Sequence, residues 1–357
     1  MTSLASPSRQ EAPRPSLPPA ARKPLVVGGT ALLALLLGGI AAPRAALHGW
    51  LIGFAFAGGA PLGALALLLI HGLTGGRWGE AHRPALVGTA RAVPALVVLV
   101  LPLVLGAGLV YPWGADPSHA GPGVARWYLN APGLAIRSIV GLGLLSVASW
   151  RLSRGRPGFL GAGLWLAVTV VFLNAAAYDW LLSLAPRFTS SAFGTQIIVA
   201  EMLSALCIAV LASGAASGDS SWADLGGLML ALTLGESYLI LMGLAVDWYG
   251  DLPDQADWYM HRTLHGWAWL EGTGALVGAV LPMLALLFAA VRRDPVLLRV
   301  VAVFILAGLW IQYVWLVSPG TEAVSAVAGI AGVAAVAGLL MTAGRVLGAR
   351  DGSRHVD

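Results

Sequence analysis

Three glutamates lie inside long apolar stretches of this sequence, where an ionised carboxylate would be poorly solvated. They are Glu201, Glu236 and Glu271. A charge at the centre of a bilayer costs about 3 kcal/mol or more, so an intramembrane carboxyl group usually has a function or a partner. Such a group can hydrogen-bond neighbouring helices together, carry protons, or bind a transported cation.

The spacing of the glutamates favours a proton path among these three roles. They fall in three successive apolar stretches, and Ser204 and Thr233 place a hydroxyl one turn from Glu201 and Glu236. A purely structural role would be served by a single carboxyl hydrogen-bonded between helices. A cation site ranks lower, because no Gly/Pro-interrupted pair of helices recurs in the two halves.

Asp179 and His71 complete this candidate path, since each closes an apolar stretch at one end. With Glu236 and Glu201 near the middle of the membrane, we expect Asp179 and Glu271 at the outer end. His71 would lie at the inner end. Either water or Tyr238 is expected to bridge the gap to Glu271.

The elements that must position these groups are membrane helices. Hydrophobic residues make up 58% of the chain and charged residues 11%, with a mean hydropathy of +0.80, whereas soluble domains carry about 25% charge. The sequence therefore predicts an all-α polytopic membrane bundle of about ten helices. They are expected at Leu25–Ala42, Ala45–Leu73, Ala85–Val110, Leu134–Trp150, Phe159–Trp180, Phe193–Ala212, Leu225–Val246, Gly266–Ala290, Val300–Val317 and Ala323–Leu340. Pro94 and Pro102 should kink the third.

Positive charge is distributed unequally between the two sides of this map. Of 21 Lys and Arg residues, only Arg44, Arg126, Arg137, Arg187 and Arg262 fall on the side opposite the termini. Cytoplasmic loops carry the excess of Lys and Arg, so both termini are predicted to be cytoplasmic, in a bacterial inner membrane. The basic pI near 9.6 then reflects orientation, and no nucleic-acid partner is expected.

The ends of the chain have a composition different from the apolar core. Residues 1–24 are rich in Pro, Ser, Ala and Arg and are predicted to form a disordered cytoplasmic tail. The transmembrane domain should cover residues 25–342, with a C-terminal tail over 343–357. The first apolar stretch could also be a signal peptide, but the long segment ahead of it favours a retained helix.

One predicted outer loop, residues 247–259, mixes four aspartates with aromatic residues. An aromatic belt at the headgroup layer explains most tryptophans, but it does not explain the acidic residues. We therefore predict a docking surface for a partner outside the membrane. Its candidate residues are Asp247, Trp248, Tyr249, Asp251, Asp254 and Trp258.

No cofactor, metal or catalytic residue is expected on this chain. Cys207 is the only cysteine, which excludes a Cys-based metal site and an intrachain disulfide. His261 and His265 share a helical face, but interfacial hydrogen bonding explains them better than haem ligation. Arg137 is expected to snorkel to the interface by default, with pairing to Asp179 as the alternative.

Several short stretches resemble the F-type membrane subunit of alternative complex III, a bacterial quinol:cytochrome c (or other acceptor) oxidoreductase. This subunit is also labelled quinone-binding subunit 2 and is related to polysulfide-reductase-type membrane subunits. The matching stretches are residues 69–79 (LIHGLTGGRWG), 111–113 with 128–130, 178–184 (YDWLLSL) and 247–262, which begins DWYGDLP. The last two are similar to the DWxxSLxP and WYGNLPEE stretches of that family. The sequence departs from the family at residues 235–238, where GESY replaces a Trp/Tyr-rich stretch, and at Asp251 and Gln255.

The resemblance implies two four-helix bundles plus two extra helices, without redox cofactors on this chain. Its partners would be a multihaem cytochrome, an Fe–S protein and a related membrane subunit, within the lipid bilayer. Quinone or quinol would bind at the level of the whole complex. The first hypothesis is thus a respiratory subunit that acts as a scaffold and conducts protons, either non-catalytic or contributing a quinone site. The alternative is a proton-coupled secondary transporter.

Overall fold

The computed structural model describes residues 17–120, 127–214, 220–319 and 324–353. These residues form helices and no strands, and ten of the helices are long and apolar enough to cross a membrane. They are α1 Pro19–Ala41, α2 Pro43–Thr74, α3 Arg77–Leu105, α4 Ala131–Arg154, α5 Phe159–Leu184, α6 Phe193–Ala212, α7 Ser221–Tyr249, α8 Trp267–Leu287, α9 Pro295–Val317 and α10 Val324–Ala349. The prediction of an all-α polytopic bundle is confirmed.

The boundaries of the predicted domains need two changes. Helix α1 begins at Pro19, so the last residues of the predicted disordered tail are helical. The last helix continues to Ser353, which makes most of the predicted C-terminal tail helical as well. Residues 1–16 and 354–357 lie outside the described residues.

The helices pack as two four-helix bundles with two additional helices. Helices α2 to α5 form the first ring and α6 to α9 the second, and α2 and α6 join the two rings. Helices α1 and α10 pack on each other and on α2. As a result α2 is the central helix, with 89% of its most apolar window buried.

Small residues allow this close approach, as is usual between membrane helices. A methyl group on Gly53 of α2 would collide with the backbone of Gly332 in α10. One on Gly63 would collide with the backbone of Glu201 in α6, and one on Gly308 of α9 would collide with Gly278 in α8. Glycine at these positions is therefore a requirement of the packing.

Helix α3 is interrupted where the sequence predicts kinks. It consists of the segments Arg77–Ala90, Val93–Leu99 and Leu101–Leu105. Pro94 has no N–H to offer the carbonyl of Ala90, and the Ser149 hydroxyl of α4 donates to that carbonyl instead at 2.7 Å. The Leu99 carbonyl accepts from the Trp50 indole of α2 at 2.9 Å. Side chains from neighbouring helices thus satisfy the interrupted backbone.

Both described ends of the chain lie on the same side of the bundle, since α1 begins and α10 ends there. We call this side the terminal face and the opposite side the loop face. The loop face also carries a short helix, Pro253–Thr263, between α7 and α8. Near the middle of α8, residues Leu276–Val280 form a π-helical turn beside Gly308.

Candidate functional site: a carboxyl cluster in the second bundle

Glu201 lies in the middle of α6 and is buried against α2. Its side chain is 6% exposed. A Cβ added at Gly59 of α2 would stand only 2.9 Å from Glu201 Cγ, so a larger residue there would crowd this side chain. One carboxyl oxygen, Oε2, makes no hydrogen bond with the described residues. The two glycines of α2, Gly59 and Gly63, thus make the space in which this carboxyl group is held.

Glu236 of α7 is hydrogen-bonded to a neighbouring helix. Gln312 of α9 donates from Nε2 to Glu236 Oε1 at 3.1 Å, and the side chain of Gln196 from α6 also interacts with it. Its second oxygen, Oε2, has no hydrogen-bond partner among the described residues. Thr233, expected to share the face of Glu236, donates its hydroxyl to the Met229 carbonyl at 2.7 Å.

The two glutamates lie at different depths, although both were expected near the midplane. Gln196 and Gln312, the partners of Glu236, both lie close to the loop-face ends of their helices. Glu201 follows Gln196 by about 7 Å along the axis of α6, at 1.5 Å per residue. Glu236 is therefore the more loop-ward of the two.

Tyr313 of α9 lies near both glutamates. It is 3% exposed and interacts electrostatically with both Glu201 and Glu236. The Phe56 ring of α2 packs edge-on against it, with centroids 6.1 Å apart. A phenol can both donate and accept a proton in a hydrogen bond, so Tyr313 is suited to link two carboxyl groups.

Glu271 of α8 extends the cluster towards the loop face. It is partly buried and interacts electrostatically with Glu236. Its Oε2 also has no hydrogen bond to described residues. Tyr238 is 60% exposed on the outside of α7, so of the two expected bridges, water and Tyr238, the tyrosine does not reach between Glu236 and Glu271.

All four helices of the second bundle contribute to this group, which we call the carboxyl cluster: Glu201, Glu236, Glu271, Gln312 and Tyr313. Among the described residues, no Arg, Lys or His forms an ion pair with any of its three glutamates. In a medium of low dielectric constant, a neutral carboxyl is much less costly than an unpaired carboxylate. The cluster is therefore suited to hold and pass protons.

No protein-family model and no curated protein sequence matches this chain.

Asp179, the fourth predicted carboxylate, lies apart from the cluster in a fully formed ion pair. Arg137 Nε donates to Asp179 Oδ2 at 2.8 Å, and Arg137 Nη2 donates to Oδ1 at 2.9 Å. The Arg137 guanidinium also lies 3.8 Å from the centre of the Tyr128 ring. Snorkelling by Arg137 was the default expectation and is wrong, because a buried carboxylate on α5 offers the guanidinium a better partner than water does.

The neighbouring Tyr128 responds to this pair. Burial, followed by the charge of Asp179, raises the pKa of Tyr128 to about 12. The phenol thus stays protonated and donates its proton towards Asp179. The ion pair, with Tyr128 packed against it, therefore holds α4 and α5 together.

His71 lies near the terminal face, at the end of α2. Its Nε2 lies 2.9 Å from the Gly76 carbonyl and 3.9 Å from Glu80 Oε1, and Trp78 packs edge-on against the ring. Along α2, His71 lies about 12 Å from Gly63, the residue that touches Glu201. No described contact links His71 to the carboxyl cluster.

The predicted docking residues divide into packed and exposed groups. Asp247 is 6% exposed and interacts with the Tyr259 hydroxyl. Trp258 stacks on Phe188 at a centroid distance of 4.1 Å. Both residues therefore contribute to packing at the loop face. The sequence pattern did not show which residues of this loop are packed and which are exposed.

Trp248 and Tyr249 are exposed, at 66% and 89%, and Asp251 beside them adopts a left-handed φ of 47°. The side chain of Asp254 lies outside what the structure describes. Asp257 pairs with His261 at 3.3 Å on the exposed side of the short helix. Within the described residues, no three His, Cys, Asp or Glu side chains converge to hold a metal ion.

The sequence analysis missed three polar residues near the glutamates: Gln196, Gln312 and Tyr313. All three lie in apolar membrane helices, and a polar side chain in such a helix is the same signal that identified the glutamates. The sequence analysis considered only charged residues in these helices, and so it omitted the neutral side chains that lie around the carboxyl groups.

Proposed function

We propose that this chain is an integral membrane subunit of a respiratory quinol oxidoreductase of the alternative complex III class, and that it conducts protons through its carboxyl cluster. The observation that carries the proton path is the proximity of the buried Tyr313 to both Glu201 and Glu236, with Glu271 continuing towards the loop face. Protons cross hydrocarbon only through successive donors and acceptors, and these residues form such a series.

The assignment to a respiratory complex rests on the family resemblance of the four short stretches. The arrangement in two four-helix bundles plus two helices is what that resemblance implies, and it supports the proposal. Partner subunits would supply the haem and Fe–S groups, and quinol would bind within the whole complex. The exposed residues Trp248, Tyr249 and Asp251 offer aromatic area and charge for contact with such a partner.

A proton-coupled secondary transporter is the second candidate function. The same carboxyl cluster supports it, since unpaired buried carboxyls also couple proton movement to substrate transport. Recovery from mild detergent as a lone monomer that moves protons only when a substrate is added would favour this alternative. Co-purification with cytochrome and Fe–S subunits would favour the first.

The test of the proton path uses substitutions that keep shape but remove titration. Glu201→Gln, Glu236→Gln and Tyr313→Phe should each leave assembly and quinol oxidation in place and lower the number of protons moved per electron in reconstituted vesicles. Tyr238→Phe on the outside of α7 and Asp257→Asn on the short helix are matched controls, and both should leave that ratio unchanged. An unchanged ratio in all three cluster variants would leave the cluster with a purely structural role.

A further inference from the structure

A cavity of about 800 Å³ opens on the loop face, away from the carboxyl cluster. The turn between α1 and α2 forms one wall and the residues after α3 another, and the ends of α5 and α9, Arg262 of the short helix and Ser325 of α10 complete it. Its polar side chains include Arg44, His48, Tyr111 and Arg262, and none of its described lining residues is acidic. The described lining of the cavity therefore carries a positive charge, supplied by Arg44 and Arg262.

Among the described residues, Arg262 is a buried cation without an anionic partner. It is 8% exposed, and its guanidinium lies 3.9 Å from the centre of the Trp258 ring. Its Nη2 donates to the Leu316 carbonyl at 3.3 Å, while Nε has no hydrogen-bond partner among the described residues. No described carboxylate forms an ion pair with it.

The electrostatics of Arg262 agree with this lack of a counter-charge. Burial lowers the pKa of Arg262 to about 10, opposed only by the nearby Tyr259. A buried cation is normally paired or bound to an anion, because its desolvation is otherwise uncompensated. The neutral carbonyls around Arg262 offset only part of that penalty.

The N-terminus of α2 faces the same cavity. Ala42, Pro43 and Ala45 line it, and no side chain caps the first turn of this long helix. Free N–H groups and the helix dipole make such an end attractive to anions. Arg44 projects from the first turn, and His48 Nδ1 donates to the Arg44 carbonyl at 2.8 Å.

We propose that this cavity binds a phosphate group between Arg262, Arg44 and the N-terminus of α2. The phosphate belongs either to the headgroup of an anionic phospholipid or to a free phosphate ion. Leu109, Leu184 and Val317 in the wall provide an apolar surface that a lipid glycerol and upper acyl chain would cover. Two guanidinium groups suit a phosphate because each can donate two parallel hydrogen bonds.

The test measures binding to the full chain, purified in uncharged detergent and stripped of lipid. The probes are inorganic phosphate, compared with chloride at equal ionic strength, and phosphatidylglycerol added to phosphatidylcholine nanodiscs. Thermal unfolding and native mass spectrometry report binding. We expect a probe to stabilise the chain, and Arg262→Gln or Arg44→Gln to weaken its binding about tenfold, the loss of one charge-assisted contact.

Arg187→Gln is the matched control, because Arg187 is exposed on the same face and does not line the cavity. It should bind the probes as the unaltered chain does. If Arg262→Gln fails to fold, Arg44→Gln decides the matter, since Arg44 is exposed.

Retention of phosphatidylglycerol alone identifies a lipid site, and stabilisation by inorganic phosphate alone identifies a free-ion site. The proposal is overturned if neither probe binds, or if all three arginine variants lose binding equally. A failure here would leave the proton path untouched, since the two sites share no residue.

Discussion

Carboxyl groups within the apolar helices are held in two ways. Asp179 is bound on both oxygens by the Arg137 guanidinium, whereas none of the three glutamates of the carboxyl cluster has an ion-pair partner among the described residues. The two arrangements differ in what a change of protonation would cost. Loss of the Asp179 charge would break its ion pair with Arg137, whereas no such ion pair would break at the glutamates. On the proposed function, Asp179 stabilises the fold and the glutamates transfer protons.

The Asp179 pair can be tested through stability. Asp179→Asn leaves Arg137 partly buried without a counter-charge, and should lower the free energy of unfolding by about 3 kcal/mol. The double variant Asp179→Asn, Arg137→Gln should regain part of that loss. Asp257→Asn breaks an exposed pair and should change stability by less than about 1 kcal/mol. Urea unfolding in detergent measures all three; equal stability of Asp179→Asn and Asp257→Asn would restore the snorkelling interpretation.

The sequence predicted which carboxyl groups lie in the membrane but not which of them meet. Glu201, Glu236 and Glu271 stood out because each interrupts an apolar run. Tyr313 did not, since a tyrosine near a helix end also fits an interfacial belt. Whether Arg137 reaches Asp179 depends on how α4 and α5 are rotated about their own axes. The positions of the residues along the chain do not determine that rotation.

At the scale of helices, hydropathy located all ten spans, while local chemistry set their ends. Helix α9 begins at Pro295, well before the predicted Val300, because the Asp294 side chain accepts hydrogen bonds from the N–H groups of Val296 and Leu297 at 2.7 and 3.2 Å. Proline at the first helical position fits such a start. These polar residues contribute nothing to an apolar window, so hydropathy places the start too late.

Glycine contacts between α2 and α10 yield a prediction at the same scale. Gly332→Val puts a side chain against the carbonyl of Gly49 and should destabilise the fold by about 2 kcal/mol or more. Gly143→Val in α4 meets open space, with nothing within 4 Å of an added Cβ, and should be nearly neutral. Thermal unfolding in one detergent compares the two. A similar loss in both variants would show that helix propensity, rather than α2–α10 packing, is what was measured.

For the whole molecule, an even number of spans places both described ends on one face. The unequal distribution of Lys and Arg predicts that this face is cytoplasmic. Reporter fusions at Ser353 and within the loop at Asp251 should therefore report opposite compartments, with Ser353 on the cytoplasmic side. If both positions report the same compartment, one of the ten helices does not cross. If the two are reversed, the charge distribution does not orient this chain.

The central position of α2 has a consequence for biogenesis. Helix α2 leaves the ribosome long before α10, which covers Gly49 and Gly53. Until then the glycine stripe of α2 faces lipid, which an apolar helix tolerates. Docking of α10 on α2 must therefore wait until α10 has been made. A chain cut short before α10 would leave Gly49 and Gly53 uncovered, so we expect it to be less stable in the membrane than the full chain.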